Sequence, residues 1–376
     1  MRRANLSLVL RTVHRKGPRS RAALTEETGL NRSTIADLVG ELARDGLVEE
    51  RAADPAGRVG RPSPTVAPAP GVVAVAINPE VDALDLAAVA LDGTIVVRER
   101  IERNALLTPD ETARLTGERL SSWRRGALRG RRVLGVGAAV PGPVRASDGL
   151  VRTAPHLGWV DAALGEKISD ATSLPCHVAN DAALGAVAEH LFGAARGVDD
   201  VVYLNGGASG IGGAVIAGGT PLGGAGGYAG EFGQNRPGIV DPRDRRAADG
   251  VLEDEVSRAR LLAVAGLSTA DDTALAAALR ASADPGVQAE TGRQRRILAT
   301  ALANAANVLN PAVVVLGGFL AVLADLDPAG LDAAVRAQTM PACADDLRVR
   351  SAELGEHRLL VGAAEAVFET TLFRTR

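Results

Sequence analysis

The stretch Val201–Ala217, with the sequence VVYLNGGASGIGGAVIA, predicts two β-strands that flank a glycine-rich turn. Residues 201–204 and 210–217 are largely apolar, which is typical of strands buried inside a protein. The segment Gly206–Gly212, where the two strands meet, contains four glycines. Such a composition either lets the backbone pack closely or binds phosphate through its N–H groups, and the turn by itself leaves both interpretations open.

The same pattern occurs earlier in the chain. Apolar runs at residues 72–77 and 84–91 predict two strands, and Asp92-Gly93 predicts a tight hairpin to a third strand at 94–99. A helical pattern and a further buried strand follow each copy. Three strands, then helix and strand, occurring twice, predict an α/β protein with two similar lobes that face a cleft.

The N-terminal residues differ in charge from the rest of the chain. The whole sequence has a formal net charge of −3, yet residues 1–61 contain 12 basic and 8 acidic side chains, a net charge of +4. A basic N-terminus on an acidic body is the asymmetry expected when one end of a protein meets nucleic acid.

The N-terminal residues also predict three short helices in succession. Apolar side chains recur at helical spacing in Asn5–His14, Ser20 is placed to cap a second helix, and Gly29 is placed to end it. Asn31 is placed to cap the third helix, and residues 47–51 predict a strand before a basic loop. A helix, a short turn with glycine and another helix indicate a helix–turn–helix, to which the strand and loop would add a wing.

In a winged helix–turn–helix the second helix of the pair enters the major groove by its N-terminus, and arginines on a flexible wing suit the minor groove. The candidate DNA-contacting residues are Ser20, Arg21, Asn31, Arg32, Ser33, Thr34, Arg58 and Arg61. The alternative is a three-helix packing domain with a solvated charged face. The agreement of spacing, charge and basic wing favours a double-stranded DNA operator as the partner.

Domain boundaries follow changes in composition. Residues 61–71 carry four prolines and predict a stiff linker or the exit of the wing. The predicted domains are a DNA-binding domain at 1–60, the linker at 61–71, a first lobe at 72–182 completed by the C-terminal helix at 356–376, and a second lobe at 183–355.

Cysteine content and hydropathy limit the cellular locations that the sequence allows. Cys176 and Cys343 are the two cysteines and show no CxxC spacing, which argues against a disulfide framework. The sequence has no apolar run of membrane-spanning length and no signal-peptide pattern at its N-terminus. We therefore expect a cytoplasmic protein with no membrane partner.

Short motifs occur in a fixed order along essentially the whole chain. They are Ser20–Leu24, Thr28–Leu30, Gly46–Val48, Gly60–Pro62, Val140–Pro143, Pro155–Trp159, Asn180–Ala182, Gly210–Gly213, Gly230–Gly233, Gly250–Glu253 and Leu316–Gly318. Together they resemble the ROK family (repressors, open reading frames and kinases), and within it the regulator branch that has an N-terminal winged helix. The resemblance implies two actin-like (RNase H-like) lobes of the ATPase-type sugar kinase fold.

The resemblance implies a sugar or sugar phosphate as the ligand. The positions that match the family's ligand-contacting segments are Gly142, His156, Asn180, Asp181, Glu231, Gln234 and Glu253. Carboxylates and amides satisfy sugar hydroxyls at fixed geometry. Asp181 also matches the family's general base, so it is the catalytic candidate if kinase activity survives. His156 and Gln234 replace the Asn and His of the family pattern, which changes two expected contacts.

The family's first phosphate loop is absent. The kinases have Asp-x-Gly-Gly-Thr after the first strand, and Ile77-Asn78-Pro79-Glu80-Val81 stands in that place. Pro79 lacks an N–H donor, and Glu80 puts negative charge where phosphates would lie. Phosphoryl transfer depends on positioning and charge stabilisation, so we expect no kinase activity, no ATP cofactor, and close packing as the role of the turn at 206–212.

The family's zinc site is also replaced. Its histidine corresponds to Gln234, and its Cys-x-Cys-Gly-x-x-Gly-Cys stretch corresponds to Asp244–Val251, with Asp244, Arg246 and Val251 at the cysteine positions. We expect no metal there, because none of the four residues is a cysteine or histidine.

Three functions remain in competition. The first is a sugar-responsive transcriptional regulator, expected to be a repressor that acts as a homodimer or homotetramer. The second is a bifunctional sugar kinase with a DNA-binding N-terminus, which the retained Asp181 favours and the lost phosphate loop opposes. The third is a DNA-binding regulator whose cleft no longer binds ligand. The sequence favours the first.

Overall fold

The structure is a computed structural model that describes residues 1–51 and 64–373. Contacts divide the chain into two compact units. The first unit comprises Met1–Ala139, Ala163–Val178 and Ala363–Arg376, and the second comprises Val140–Ala162 and Ala179–Gly362.

The helices and strands up to residue 140 are α1 (Arg2–Lys16), β1 (Arg19–Ser20), α2 (Arg21–Thr28), α3 (Arg32–Arg44), β2 (Val48–Arg51), β3 (Thr65–Pro68), β4 (Val72–Pro79), β5 (Ala83–Ala90), β6 (Ile95–Glu102), α4 (Pro109–Arg125) and β7 (Arg132–Val140). Those that follow are β8 (Val151–Ala154), β9 (Trp159–Ala162), α5 (Leu164–Thr172), β10 (Cys176–Asn180), α6 (Asp181–Phe192), β11 (Val201–Gly207), β12 (Gly210–Ala217), β13 (Thr220–Pro221), α7 (Leu252–Glu255), α8 (Arg258–Val264), α9 (Asp272–Ala281), α10 (Pro285–Leu309), β14 (Val313–Gly318), α11 (Phe319–Asp325), α12 (Pro328–Arg336), α13 (Pro341–Ala344), β15 (Arg348–Ser351) and α14 (Arg358–Phe368).

The first three helices of the first unit pack around a small apolar core. Ser20 caps α2 by accepting the N–H of Ala23 at 3.1 Å, and Asn31 caps α3 by accepting the N–H of Thr34 at 2.8 Å. Gly29 ends α2 in the left-handed conformation, with a φ of 69°. The core side chains are Val9, Leu10, Val13, Leu24, Ile35, Leu38, Val39, Leu42, Val48 and Val66.

Part of the segment predicted as a linker is a strand. Thr65–Pro68 forms β3, which lies between β1 and β2 in an antiparallel sheet of order β1-β3-β2. Val66 is fully buried there, opposite Glu50 and Arg19 of the two neighbouring strands. The β-branched pair Thr65-Val66 favours a strand, and the prolines around it conceal this preference in the sequence.

The remainder of the first unit is built on a five-stranded sheet of order β10-β7-β4-β5-β6. β4 pairs antiparallel with β5 and parallel with β7. The C-terminal helix packs on this sheet so closely that a Cβ on Gly137 would lie 1.9 Å from the carbonyl oxygen of Ala363. After α14 the chain continues in a short π-helical stretch, Glu369–Phe373.

The second unit repeats this topology. Its sheet has the order β13-β12-β11-β14-β15, and β11 pairs antiparallel with β12 and parallel with β14, as β4 does with β5 and β7. One face of the sheet packs on a large core with residues from α8 to α12, and the other face packs on α6. The α/β class and its internal repeat, predicted from the sequence, are therefore confirmed.

Candidate ligand-binding site

The second unit contains a cavity of about 570 Å³. It is lined by the β11–β12 turn, by the N-terminus of α6, by the segments 141–143 and 152–156, and by the loop that leads to α7. Seven of its lining residues are those expected to contact ligand: Gly142, His156, Asn180, Asp181, Glu231, Gln234 and Glu253. The structure thus brings all seven to one place.

Asn180 and Asp181 lie where β10 ends and α6 begins. Asn180 caps α6 by accepting the N–H of Ala183 at 3.0 Å, and its Nδ2 donates to the carbonyl of Gly142 at 3.0 Å. This amide therefore ties the segment at 141–143 to the helix. Asp181 Oδ1 accepts the N–H of Ala182 at 2.7 Å, and burial raises the pKa of Asp181 to about 6.

Two further carboxylates face the cavity from the loop before α7 and from α7 itself. Burial, together with the charge of Glu253, raises the pKa of Glu231. Glu253 is held at both oxygens, because Oε1 accepts Nε2 of Gln234 at 2.7 Å and Oε2 accepts the N–H of Ile211 at 3.1 Å. Gly210 has a φ of 123°, and a Cβ there would lie 2.3 Å from Glu253 Oε2, so this contact requires glycine.

The sequence did not single out several polar residues that also line the cavity. These are Arg152, Asn205, Ser209 and Tyr228. Asn205 Oδ1 accepts Nη2 of Arg358 at 2.8 Å, and Arg152 is paired with Asp161 at 2.6 Å. A polar Asn at the end of an otherwise apolar strand is a signal that could have identified Asn205 from the sequence.

The cavity combines features suited to a polyhydroxylated ligand. It presents three carboxylates, three amides, one histidine and one arginine beside apolar wall atoms, and its volume falls in the usual range for small-molecule sites. Carboxylates accept hydroxyl protons at fixed positions, whereas three of them near one ligand disfavour an added phosphate.

The glycine-rich turn beside this cavity is a tight hairpin. Gly207 pairs with Gly210, so Ala208 and Ser209 alone form the loop. A Cβ on Gly206 would lie 2.5 Å from the ring of Phe319, and one on Gly212 would lie 2.8 Å from Ala182. Close packing therefore accounts for these two glycines without a phosphate.

The segment in place of the first phosphate loop is a short turn between β4 and β5. The N–H of Glu80 donates to the carbonyl of Ala83 at 2.8 Å. Its carboxylate accepts Nδ2 of Asn78 at 2.9 Å and Nη1 of Arg100 at 2.8 Å. The turn thus places a carboxylate that is paired within the protein at this position.

The four positions of the family's zinc ligands do not fit a metal ion. Gln234 donates to Glu253, Arg246 is a cation, and Val251 offers no ligand atom on its side chain. The Asp244 carboxylate is paired with Arg296, with a contact at 2.8 Å. Across residues 1–51 and 64–373, no group of three or more His, Cys, Asp or Glu side chains is arranged to hold a metal.

The candidate DNA-contacting residues lie at the starts of α2 and α3. Ser20 and Asn31 are the caps of these helices, and Ser33 Oγ donates to Asn31 Oδ1 at 2.8 Å. Arg32 and Ser33 are exposed, Thr34 is half-buried, and Arg21 is bonded to Glu50. Arg58 and Arg61 lie outside the described residues. Among the helices that the structure describes, none is long and apolar enough to cross a bilayer.

The known proteins that are similar to this chain include regulators and kinases. A xylose repressor of Bacillus subtilis is 29% identical over 236 residues, which span 62% of this chain and 60% of that repressor. A glucokinase of Halalkalibacterium halodurans is 29% identical over 250 residues, which span 61% of this chain and 74% of the kinase. The crystal structure of a ROK family transcriptional regulator, a homolog of the Escherichia coli MLC protein, aligns over 99% of this chain and 96% of its own, with a TM-score of 0.78 and 26% identity. The family model described as ROK family matches residues 75–369, and since this is most of the sequence, the chain belongs to the ROK family.

Proposed function

We propose that the protein is a sugar-responsive, DNA-binding transcriptional regulator that acts as a repressor. The observation that carries this proposal is the combination, in one chain, of a basic helical N-terminus with a cavity lined by Asp181, Glu231 and Glu253. A xylose repressor among the relatives supports it. The shared ROK fold alone would not, because it is also found in kinases.

In this proposal helices α1 to α3 and the sheet of β1, β2 and β3 form a winged helix–turn–helix, which therefore extends past residue 60 to Pro68. α3 is the recognition helix, and its first residues, Arg32, Ser33 and Thr34, contact base edges and phosphates of a double-stranded operator. Ser20, Arg21 and Asn31, at the starts of α2 and α3, are proposed to contact the sugar-phosphate backbone of the DNA. Arg58 and Arg61 are proposed to contact the DNA as well, in its minor groove.

The body is proposed to be a two-lobe, actin-like sugar kinase fold that has become a sensor. Its lobes are residues 72–182, completed by 356–376, and residues 183–355, and they follow the DNA-binding domain after β3. A ligand changes DNA affinity only if it binds two states of the protein unequally. Two copies of the chain, or four, would read a palindromic operator in the cytoplasm.

The effector is proposed to be a neutral sugar bound by Gly142, His156, Asn180, Asp181, Glu231, Gln234 and Glu253. The three carboxylates favour hydroxyl groups over phosphate because like charges repel in a partly desolvated site. D-xylose and D-glucose are the first probes, since a xylose repressor and a glucokinase are among the relatives.

A thermal-shift panel tests the ligand assignment. At about 100 times its Kd, a ligand that binds only the folded state stabilises a protein by about 2.7 kcal/mol. We expect a free sugar to raise the melting temperature by several degrees, its phosphate to do less, and Glu231→Ala to remove the rise. If no sugar or sugar phosphate changes the melting temperature, the sensor assignment is wrong and the ligand-free alternative replaces it.

Loss of the kinase reaction is also part of the proposal. In the first unit, the turn that replaces the phosphate loop has no glycine-rich segment that could bind phosphate. It carries instead the Glu80 carboxylate, which is bound to Asn78 and Arg100. A coupled ADP-release assay over a hexose panel should give no turnover above that of the Asp181→Asn variant. Turnover that this substitution abolishes would establish the bifunctional kinase instead.

A further inference from the structure

A buried arginine lies beneath the loop that takes the place of the family's zinc site. Arg293, on α10, is only 1% exposed. Its guanidinium group carries five N–H donors, one on Nε and two on each Nη, and all five have an acceptor. The bonds are Nε to Glu290 Oε2 at 2.9 Å, Nη1 to the Asp244 carbonyl at 2.7 Å and to Glu255 Oε2 at 3.0 Å, and Nη2 to the Glu255 carbonyl at 2.7 Å and to Glu290 Oε1 at 2.7 Å.

Glu255 also binds this loop directly. Its Oε1 accepts the N–H of Arg246 and the N–H of Ala247, each at 2.9 Å. Arg293 therefore holds a carbonyl at the first cysteine position of the family motif, and Glu255 holds an amide at the second. At the third position, Val251 is the N-cap of α7 and donates its N–H to Asp254 Oδ2 at 2.9 Å.

The charges in this cluster balance. Arg293 lies between the carboxylates of Glu255 and Glu290, and Nη2 of Arg246 is 3.9 Å from Glu290. Gln294 adds a hydrogen bond to Glu290 Oε1 at 2.8 Å. Buried charges are tolerated when they are paired and fully hydrogen-bonded, and removing one partner is costly because it leaves the others uncompensated.

We propose that Arg293, Glu255 and Glu290 form a metal-free clamp that fixes the loop Asp244–Val251. The clamp does with a buried salt-bridge network what a zinc ion does with four ligands: it ties several loop positions to one rigid centre. Glu255 follows Glu253 by two residues on α7, so the clamp also positions the carboxylate that lines the cavity. This second part rests on the proposed function, whereas the first part does not.

Hydrogen exchange of the loop amides tests the clamp without any ligand. Arg293→Lys keeps the charge but supplies three donors in place of five. We expect it to speed hydrogen exchange at the amides of Arg246 and Ala247 at least about tenfold, because the free energy required to open the loop locally becomes smaller. The matched control is Arg295→Lys on the same helix, whose side chain pairs with Asp327 outside the loop and should leave those amides unchanged.

Chelation and a milder variant complete this test. The clamp predicts that exhaustive treatment with EDTA leaves loop exchange and melting temperature unchanged. Faster exchange after EDTA, restored by zinc, would overturn it, as would equal exchange in wild type and Arg293→Lys. If Arg293→Lys does not fold, Glu290→Gln removes one charge while keeping an acceptor, and it should give a smaller acceleration confined to the same loop.

The positioning of Glu253 has its own measurement. Arg293→Lys should weaken the affinity for D-xylose or D-glucose, whichever shifts the wild-type melting temperature, by about tenfold while DNA affinity without sugar stays unchanged. Equal sugar affinity in wild type and Arg293→Lys would show that the clamp fixes the loop but does not position Glu253. If neither sugar binds wild type while Arg293→Lys still loosens the loop, the sensor proposal fails and the clamp stands.

Discussion

The side chain of Gln234 donates a hydrogen bond of 2.7 Å to Glu253, from Nε2 to Oε1. A carboxylate only accepts hydrogen bonds, so the amide nitrogen must face Glu253 and the amide oxygen must face away from it. The residue that replaces the family histidine thereby holds a cavity carboxylate in place. Gln234 is thus part of the support of the site as well as one of its lining residues.

Removing this donor should weaken ligand binding. Gln234→Met keeps the length of the side chain and leaves Glu253 Oε1 without its protein donor, and a hydrogen bond to a charged group contributes on the order of 1.5 kcal/mol. We expect sugar affinity, measured by calorimetric titration, to fall about tenfold. Gln288→Met, at an exposed position of α10, is the control. Unchanged affinity in Gln234→Met would show that the contact does not serve binding.

Asp181 should make stability depend on pH. Its folded pKa of about 6 lies above the ordinary value of 3.8 because of burial. The stability that its proton contributes is therefore fully present below pH 3.8 and is lost as the pH rises through about 6.

The Asp181→Asn variant removes this loss. At pH 7.5 it should raise the free energy of unfolding, by denaturant titration, on the order of 1–3 kcal/mol, and the difference should vanish toward pH 4. Asp170→Asn, at an exposed position, should show no such trend. A variant that is less stable than wild type at pH 7.5 would contradict the burial argument.

The pair formed by His14 and Glu365 should stabilise the first unit at low pH. The two ring nitrogens of His14 lie 2.5 Å from the carbonyl of Leu91 and 2.8 Å from Glu365 Oε2, so both face acceptors. Burial alone lowers the pKa of His14, but the Glu365 carboxylate and these hydrogen bonds raise it above 6.5 overall. The stabilisation is present below pH 6.5 and is lost as the pH rises through the raised pKa.

Breaking this pair tests the attachment of α1 to the C-terminal helix. Glu365→Gln should cost about 3 kcal/mol of unfolding free energy at pH 6 and less at pH 9. Glu369→Gln is the control, because that carboxylate pairs with Arg11 and is 45% exposed, so less than about 1 kcal/mol is expected. An equal loss at both pH values would argue that His14 stays neutral.

Arg32 should contribute to DNA binding. It is exposed at the first turn of α3, beside the cap Asn31. Arg32→Ala should weaken binding by about 1–3 kcal/mol if it reads a base, or reduce the salt slope by about one if it holds a phosphate. Arg44→Ala, at the last residue of α3, is the control for the loss of charge. Equal effects in the two variants would remove Arg32 from the interface.

Much of the fold followed from short-range patterns. The periodicity of apolar residues, the turn residues and the helix caps predicted β4, β5 and the two strands on either side of Ala208-Ser209, because all of these signals are local. The strand β3 was hidden by the prolines around it. The short hairpin of β8 and β9 was also missed, since strands of four residues carry little periodicity.

The site was predicted through motifs and not through physical patterns. The order of the motifs predicted that Asn180 and Glu231 share one site, whereas no local pattern marks Arg152 as a neighbour of that site. The clamp was invisible for a different reason. Arg293 lies in a helix with many charged residues, and a charged side chain at such a position is normally solvated, so its burial depends on a loop some fifty residues away in sequence.

The central claim is that sugar binding changes DNA binding. The direct measurement is a fluorescence anisotropy titration of the DNA upstream of the protein's own gene, at moderate salt, with and without the sugar that raises the melting temperature. The account predicts salt-dependent binding whose midpoint the sugar changes at least about fivefold in wild type and leaves unchanged in Glu231→Ala. No binding to this DNA, or a midpoint that no sugar changes, would contradict it.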